Sequence, residues 1–315
     1  MTTTTEMASG RGPDAPIRCS DWARAASLSP VGTSGSPAGF LLAEIPLPWP
    51  RDVGETPEGA ALAPLLRAHR FRLQAVVPAD PAARPQQRRV ILHARPPGEE
   101  GFAGYRRLEA AAGESLADTA AALIAAAADP RPSAFDAPAA DILLCTHGTR
   151  DSCCGKRGAG LAVQLAESGV LDGANLWRTS HMGGHRFAPT FLVLPEGTSW
   201  GFADLDLVTR VLRRDGEFTA VARHYRGCTG LGSPQVQAIE AEVLRQAGWP
   251  LLGAARTGEF DGTRARLWYR DGEQTHRYSA EVRPGRTIPM PGCLVPASPA
   301  DKSETEWVVT ALHRS

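Results

Sequence analysis

Two short stretches hold the residue types that do metal or redox chemistry. Residues 145–156 read CTHGTRDSCCGK and residues 180–187 read SHMGGHRF. The first carries Cys145, His147, Cys153 and Cys154, and the second carries His181 and His185. Thiolate and imidazole together hold soft or borderline metals, because they donate without the charge and hydration preferences of carboxylates. Spaced four apart, His181 and His185 could face one metal from a helix. Gly183 and Gly184 between them disfavour helix and point to a tight loop whose glycines let backbone approach a cluster closely. A Cys2His2 set is also a zinc set, so the residue types leave zinc and an iron–sulfur cluster both open. Thiol oxidoreduction is a third chemistry. The sequence has no Cys-x-x-Cys, and the vicinal Cys153-Cys154 pair makes a poor disulfide. Adjacent Cα atoms lie about 3.8 Å apart, whereas unstrained disulfides span about 4.4 to 6.8 Å. Cys145 with Cys153 or Cys154 remains. Cys19, Cys228 and Cys293 are scattered and read as small buried hydrophobes with no role.

The elements around these stretches have a regular order. Residues 142–144 form a short buried strand ending at Cys145, a Gly-rich loop comes after it, and Leu161 and Leu165 mark a helix that stops at Gly169. A strand over 176–178, the His loop, a strand over 190–194 and a turn at Glu196-Gly197 come next, and a helix over 205–214 closes the unit. The order β-α-β, then β-β-α, is that of a thioredoxin-like domain with a four-stranded mixed sheet. The two chemistry-bearing segments each begin where a strand ends, so they can converge at one end of that sheet. Upstream, residues 21–26 predict a helix and 40–45, 71–77 and 90–93 predict strands. A helix is expected over about 115–128, capped by Ser115 and stopped by Asp129-Pro130. Downstream, Val236, Ile239, Val243 and Ala247 line one face of a helix over 234–247. Alternation on either side of Asp271-Gly272 predicts a β-hairpin. No internal repeat is visible.

Composition narrows the function classes. Thirty-four Lys+Arg balance thirty-four Asp+Glu, so no global field attracts nucleic acid or an acidic membrane. The longest apolar run, 120–128, is less than half of the roughly 20 residues a membrane span needs. The N-terminus, MTTTTEMASGRGPDAP, has neither a cationic start nor an apolar core and reads as a disordered tail, which makes a cytoplasmic location the expectation. Six cysteines in 315 residues are too few for a disulfide scaffold. Six arginines against one aspartate between residues 67 and 89 form a local basic surface, ordinarily just solvated, that could dock an acidic redox partner. Gly155, Gly158 and Gly160 do not make a G-x-G-x-x-G and no Walker motif exists, so nucleotide binding is unsupported.

The Cys-x-His loop, the Cys-Gly pair and the His-x-Gly-Gly-His loop, together with FLLAEIPLPWP at 40–50 and YRGCTG near Tyr225, resemble the sucrase/ferredoxin-like proteins, which are thioredoxin-like ferredoxins. The resemblance covers most of the chain. It implies a [2Fe-2S] cluster held by Cys145 and Cys154, nine positions apart, and by His181 and His185. Cys153, an extra thiol beside Cys154, and His147 are further ligand candidates, with His147 placed preferentially as a supporting residue. Two neutral imidazoles in place of two thiolates would make such a carrier easier to reduce than an all-cysteine ferredoxin, as in Rieske centres. The word sucrase in the family name raises glycoside hydrolysis, which needs two carboxylates about 5 to 10 Å apart. Asp204 and Asp206 are the nearest candidates and read instead as helix N-terminal acids, so no hydrolase activity is expected.

The expected molecule is therefore an α/β protein. It has a tail over 1–16, a smaller N-terminal α/β domain over 17–128 and a linker over 129–141. A thioredoxin-like ferredoxin domain over 142–250 and a β-hairpin extension over 251–315 complete it. Its expected role is that of an electron carrier for an unidentified redox partner protein. The alternative is a zinc-stabilised or thiol-based redox module.

Overall fold

The computed structural model describes residues 18–80, 86–290, 293 and 303–315, so the expected tail over 1–16 lies outside the described residues. A short helix α1 (Cys19–Ala25) precedes β1 (Gly39–Glu44). All six residues of β1 are buried, as an apolar strand covered on both faces requires. Helix α2 (Pro57–His69) starts with Pro57 behind its N-cap Thr56, whose side chain accepts the Gly59 N–H at 3.0 Å, and ends at Arg70 in the left-handed region. It returns the chain to β2 (Phe71–Pro78), parallel to β1. Strand β3 (Arg89–Ala94) then pairs antiparallel with β1, and β4 (Arg106–Ala111) antiparallel with β3. Helix α3 (Leu116–Ala128), capped by Ser115, covers this unit.

The order of elements then repeats. Strand β5 (Asp141–Cys145), helix α4 (Ala159–Glu167) and the parallel β6 (Asn175–Thr179) are followed by antiparallel β7 (Phe191–Leu194) and β8 (Thr198–Trp200), and by helix α5 (Leu205–Arg213). The spatial order β4-β3-β1-β2 in the first unit is matched by β8-β7-β5-β6 in the second. The expected thioredoxin-like strand order therefore occurs twice. The repeat is invisible in the sequence because it is one of topology, carried by periodicity and turns rather than by matching residues. The units join edge to edge through an antiparallel pairing of β2 with β6, Val76 opposite Thr179 and Pro78 opposite Trp177. Strand β9 (Tyr225–Cys228) completes a nine-stranded mixed sheet.

Helix α6 (Pro234–Ala247) and the short α7 (Pro250–Gly253) lead to a separate antiparallel sheet of β10 (Arg256–Phe260), β11 (Arg264–Asp271), β12 (Gln274–Pro289) and β13 (Ser303–Arg314). The expected hairpin is β11–β12, and it is widened by a strand on each side. A fully buried pair, Glu240 on α6 and Arg256 on β10, fastens this sheet to the second unit at 2.7 Å. The two sheet units are fastened by Asp141, which is fully buried at the start of β5. It accepts from His93 (2.8 Å) and Arg107 (2.5 Å) of the first unit and from Asn175 (3.0 Å) and Trp177 (2.8 Å) of β6. No helix among the described residues is long and apolar enough to cross a membrane.

Candidate metal centre

Strands β5 and β6 are parallel, so Cys145 and the loop after Thr179 emerge at the same end of the sheet. The segment expected as a Gly-rich loop is instead helical from Ser152. It passes through one π-helical turn, Cys154–Gly158, into α4. Such turns recur at functional sites because they re-aim a side chain without ending the helix. Two glycines let this helix press against the strand end. A Cβ at Gly158 would collide with the Cys145 carbonyl oxygen, and a Cβ at Gly155 would stand 2.5 Å from the Gly148 Cα. The close approach brings Cys154 against Cys145, both about 1% exposed.

The Cys145 thiol is held well below the usual thiol range, first by its hydrogen bond with Cys154, against burial, and further by the His181 ring beside it. Cys154 is pushed well above that range by the same hydrogen bond and by burial. The hydrogen bond between them thus favours thiolate character on Cys145 over Cys154. Two arginines stand near it, Arg72 half-buried and Arg226 buried. Arg72 on β2 donates to the His181 carbonyl at 2.8 Å and feels the Cys145 charge. Arg226 on β9 is tied to Thr33 and Ser199, and burial brings its pKa down to about 10 while the Cys154 sulfur opposes that shift.

The structure brings Cys145, Cys154 and His181 together, and the His181 and His185 rings lie 6.1 Å apart. The Nδ1 of His181 is buried with no hydrogen-bond partner, a cost that a metal bond would relieve. His185 turns its Nδ1 to Asp151 Oδ2 (3.1 Å) and to Cys19 Sγ (3.3 Å), so Nε2 is the ring atom it can offer elsewhere. His147 commits both ring nitrogens. Nδ1 accepts the His181 N–H at 3.1 Å, which leaves Nε2–H to donate to the Pro50 carbonyl at 2.8 Å. Burial lowers its pKa and favours this neutral form. As placed, His147 orients the His loop and offers no free ligand atom. The first unit supports the same corner, because Thr149 Oγ1 donates to the Trp49 carbonyl at 2.8 Å and the Trp49 ring meets His147 edge-on at 5.7 Å.

Cys153, next in the chain to Cys154, points into a different group. Its thiol lies with those of Cys19 and Cys293 and with the Asp151 carboxylate, all four ligand atoms within 4.8 Å of one another. This buried Cys/Asp cluster is able to hold a metal ion. A hydrogen bond with Cys19 brings the Cys153 pKa down to about 5, and that bond with burial raises Cys19 correspondingly. Reading Cys19 and Cys293 as isolated buried hydrophobes misses this convergence, because they lie 134 and 140 positions from Cys153 and no local spacing signals it. Cys228 stays apart at the end of β9, raised to about 12 by burial.

Beside His181 a cleft of about 340 Å³ opens between the two units. Arg51, Arg67, Arg72 and Arg150 line it along with His147. The basic stretch over 67–89 does not act as one surface, since Arg88 pairs with Glu58 and Arg89 with Glu44, while Arg67 and Arg72 face this cleft.

The sucrase/ferredoxin-like family model matches residues 30–227, more than half of the chain, spanning both sheet units and both chemistry-bearing loops. No curated protein and no solved structure matches the chain.

Proposed function

The chain belongs to the sucrase/ferredoxin-like family, and from that membership and the thiol–imidazole pocket we propose that it is an electron carrier holding a [2Fe-2S] cluster through Cys145, Cys154, His181 and His185. The observation that carries the reading is the donor set. Two buried thiols share a hydrogen bond beside a histidine whose Nδ1 is buried without a partner. Bound there, the cluster would supply a one-electron acceptor of higher potential than an all-cysteine ferredoxin, because two neutral imidazoles replace two thiolates.

The surrounding residues prepare the pocket for that role. Asp151 accepts from the His185 ring and fixes its orientation, the usual partner of a ligating histidine. Arg72 and Arg226 place positive charge beside the thiolate pair and favour an added electron. His147 and Thr149, braced by the first unit, hold the loop that carries the cysteines. The arginine-lined cleft beside His181 fits an acidic redox partner, whose approach it would steer in a salt-dependent way.

The test is the visible spectrum of anaerobically purified protein with iron and acid-labile sulfide assays. Brown protein with about two irons and two sulfides per chain is expected. Cys145→Ser and Cys154→Ser should each abolish the colour, since serine lacks the soft donor. Colourless wild-type protein without sulfide would overturn the reading.

A further inference from the structure

We propose that Cys19, Cys153, Cys293 and Asp151 form a second metal site, a closed tetrahedral zinc site distinct from the pocket of Cys145 and Cys154, which ties α1 and Cys293 to the start of the helical segment in the second sheet unit. It goes beyond the electron-carrier reading and does not depend on it.

The four donors come from separate parts of the chain. Cys19 opens α1, Asp151 and Cys153 stand at the start of the helical segment that runs through the π-helical turn into α4, and Cys293 lies between β12 and β13. Folding brings their ligand atoms within 4.8 Å of one another, with Cys153 Sγ 3.1 Å from Cys293 Sγ and Cys19 Sγ 3.5 Å from Asp151 Oδ2. A tetrahedral ion with Zn–S bonds of about 2.3 Å holds its sulfurs about 3.8 Å apart, so the cluster already has the span of such a site and needs only small adjustments. All six cysteines of the chain are free thiols, so no disulfide accounts for the gathering.

The donor chemistry points to the class of ion. Three sulfurs and one oxygen suit zinc, whereas calcium and magnesium require oxygen sets. Asp151 is already oriented as a ligand. Its Oδ1 accepts the N–H groups of Cys153 and Cys154 at 2.9 and 3.1 Å, which leaves Oδ2 facing the thiols. The Ser152 hydroxyl lies 3.0 Å from Cys293 Sγ and can donate to a thiolate there. Cys19, Cys153 and Asp151 are buried and Cys293 is half-buried, so water has little room as a fourth ligand. Binding displaces thiol protons and transfers no electrons.

Placement gives the site its consequence. Cys19 lies 3.3 Å from His185 Nδ1, and Asp151 is shared with that ring, so the zinc site backs directly onto the candidate iron–sulfur pocket. Outside this cluster, α1 is held by its contacts with the helical turn at His185–Phe187, by Ala23 packed with Phe187, Phe202 and Ile288, by Arg24 over the Phe202 ring and by the Arg157–Asp21 pair. A metal staple adds to that hold, because structural zinc contributes directly to folding.

The experiment is metal analysis of the full-length protein purified without chelator. One zinc per chain is expected in the wild type. Cys153→Ser and Cys293→Ser should each lower zinc at least tenfold and leave iron and sulfide unchanged. Cobalt supplied in place of zinc should give the intense visible bands of a tetrahedral thiolate site, and Cys293→Ser should lose them. If the serine variants do not fold, the wild type still decides. Chelation should expose Cys19, Cys153 and Cys293 together to an alkylating reagent, and added zinc should protect all three. Zinc absent from the wild type, zinc retained in the Cys153→Ser/Cys293→Ser double variant, or a Cys153–Cys293 disulfide in the isolated protein would each overturn the proposal. Loss of iron in step with zinc would overturn it too, by showing one centre instead of two. Failure of the iron–sulfur reading would appear separately, as zinc-loaded but colourless protein.

Discussion

The two sheet units share one strand order and differ in the segment that leaves their first strand. In the first unit β1 ends at Glu44, whose carboxylate pairs with Arg89, and the chain leaves through Ile45-Pro46-Leu47-Pro48-Trp49-Pro50. In the second unit β5 ends at Cys145 and the chain turns through His147 to the Cys153-Cys154 helix start. Identical scaffolding thus carries a proline-rich brace in one copy and a donor set in the other, which illustrates that chemistry is grafted onto loops while the fold supplies position. The copies are not independent. Trp49 and Pro50 of the first unit accept hydrogen bonds from Thr149 and His147 of the second. The first unit therefore serves as support for the site loop.

The strongest test of that interdependence is Asp141, the shared joint. Asp141→Ala takes the acceptor from the buried His93 ring and from the Arg107 Nε, while Arg107 keeps Glu109 and the Ala137 carbonyl, so the loss falls at the lower end of the about 3–5 kcal/mol for breaking a buried ion pair. Urea unfolding should show the loss in one cooperative transition common to both units. A variant in which the first unit unfolds separately would show the units to be autonomous.

A matched pair of glycines sharpens the contrast. At Gly59 in the first turn of α2 a Cβ would collide with the Val53 carbonyl, and at Gly158 with the Cys145 carbonyl. Gly59→Ala and Gly158→Ala should each cost about 1–3 kcal/mol by overpacking. Only Gly158→Ala should also reduce iron content, because it pushes Cys154 away from Cys145. Equal iron in the two variants would remove the special role given to the π-helical turn.

Acid should act at the joint before it acts on the surface. Burial would raise the Asp141 pKa, but hydrogen bonds from His93 and Arg107 overcome it and hold the carboxyl well below the usual range. Burial lowers His93 despite Asp141, so the folded protein keeps that imidazole neutral. A folded pKa below the unfolded one gives stability that is present above the unfolded value and lost as pH falls. For His93 the loss starts near its unfolded pKa of about 6.5, and for Asp141 near about 3.9. His147 and His224 are lowered by burial too and add to the first phase. Thermal midpoints should therefore decline from about pH 6.5 downward. His93→Gln, whose amide can still donate to Asp141, should make that decline shallower. An unchanged slope would place the titration elsewhere.

These contrasts also separate the parts of the molecule that its sequence reveals from those it hides. Helices α3 and α6 fall where Ser115, Asp129-Pro130, Pro234 and the apolar spacing place them, because caps and periodicity are local. The convergence of Cys145 with His181 follows from parallel strands and is legible in the element order. The Cys19–Cys153–Cys293 group, the Arg72 contact to His181 and the doubling of the unit are not, since each depends on contacts between residues far apart in the chain. The glycines of the segment over 152–158 predict a loop, yet it is helical because those glycines serve close packing against β5.

The smallest expected effect probes the support between units most directly. Thr149 Oγ1 donates to the Trp49 carbonyl, and Thr149→Val keeps shape while deleting that donor. The Trp49 carbonyl then loses a partner, at about 0.5–1.5 kcal/mol for a hydrogen bond of this kind. The global unfolding midpoint should move only slightly. Local opening of the Cys145–Cys154 loop should move more, because the Thr149 and His147 bonds are its ties to the first unit. Hydrogen exchange at the His181 amide, which is bonded to His147 Nδ1, reads that opening. Faster exchange at His181 with unchanged exchange in β3 and β4 is expected for Thr149→Val. Equal acceleration in both places would mean that the threonine stabilises the whole fold, and the proline-rich segment would lose its role as a brace for the site.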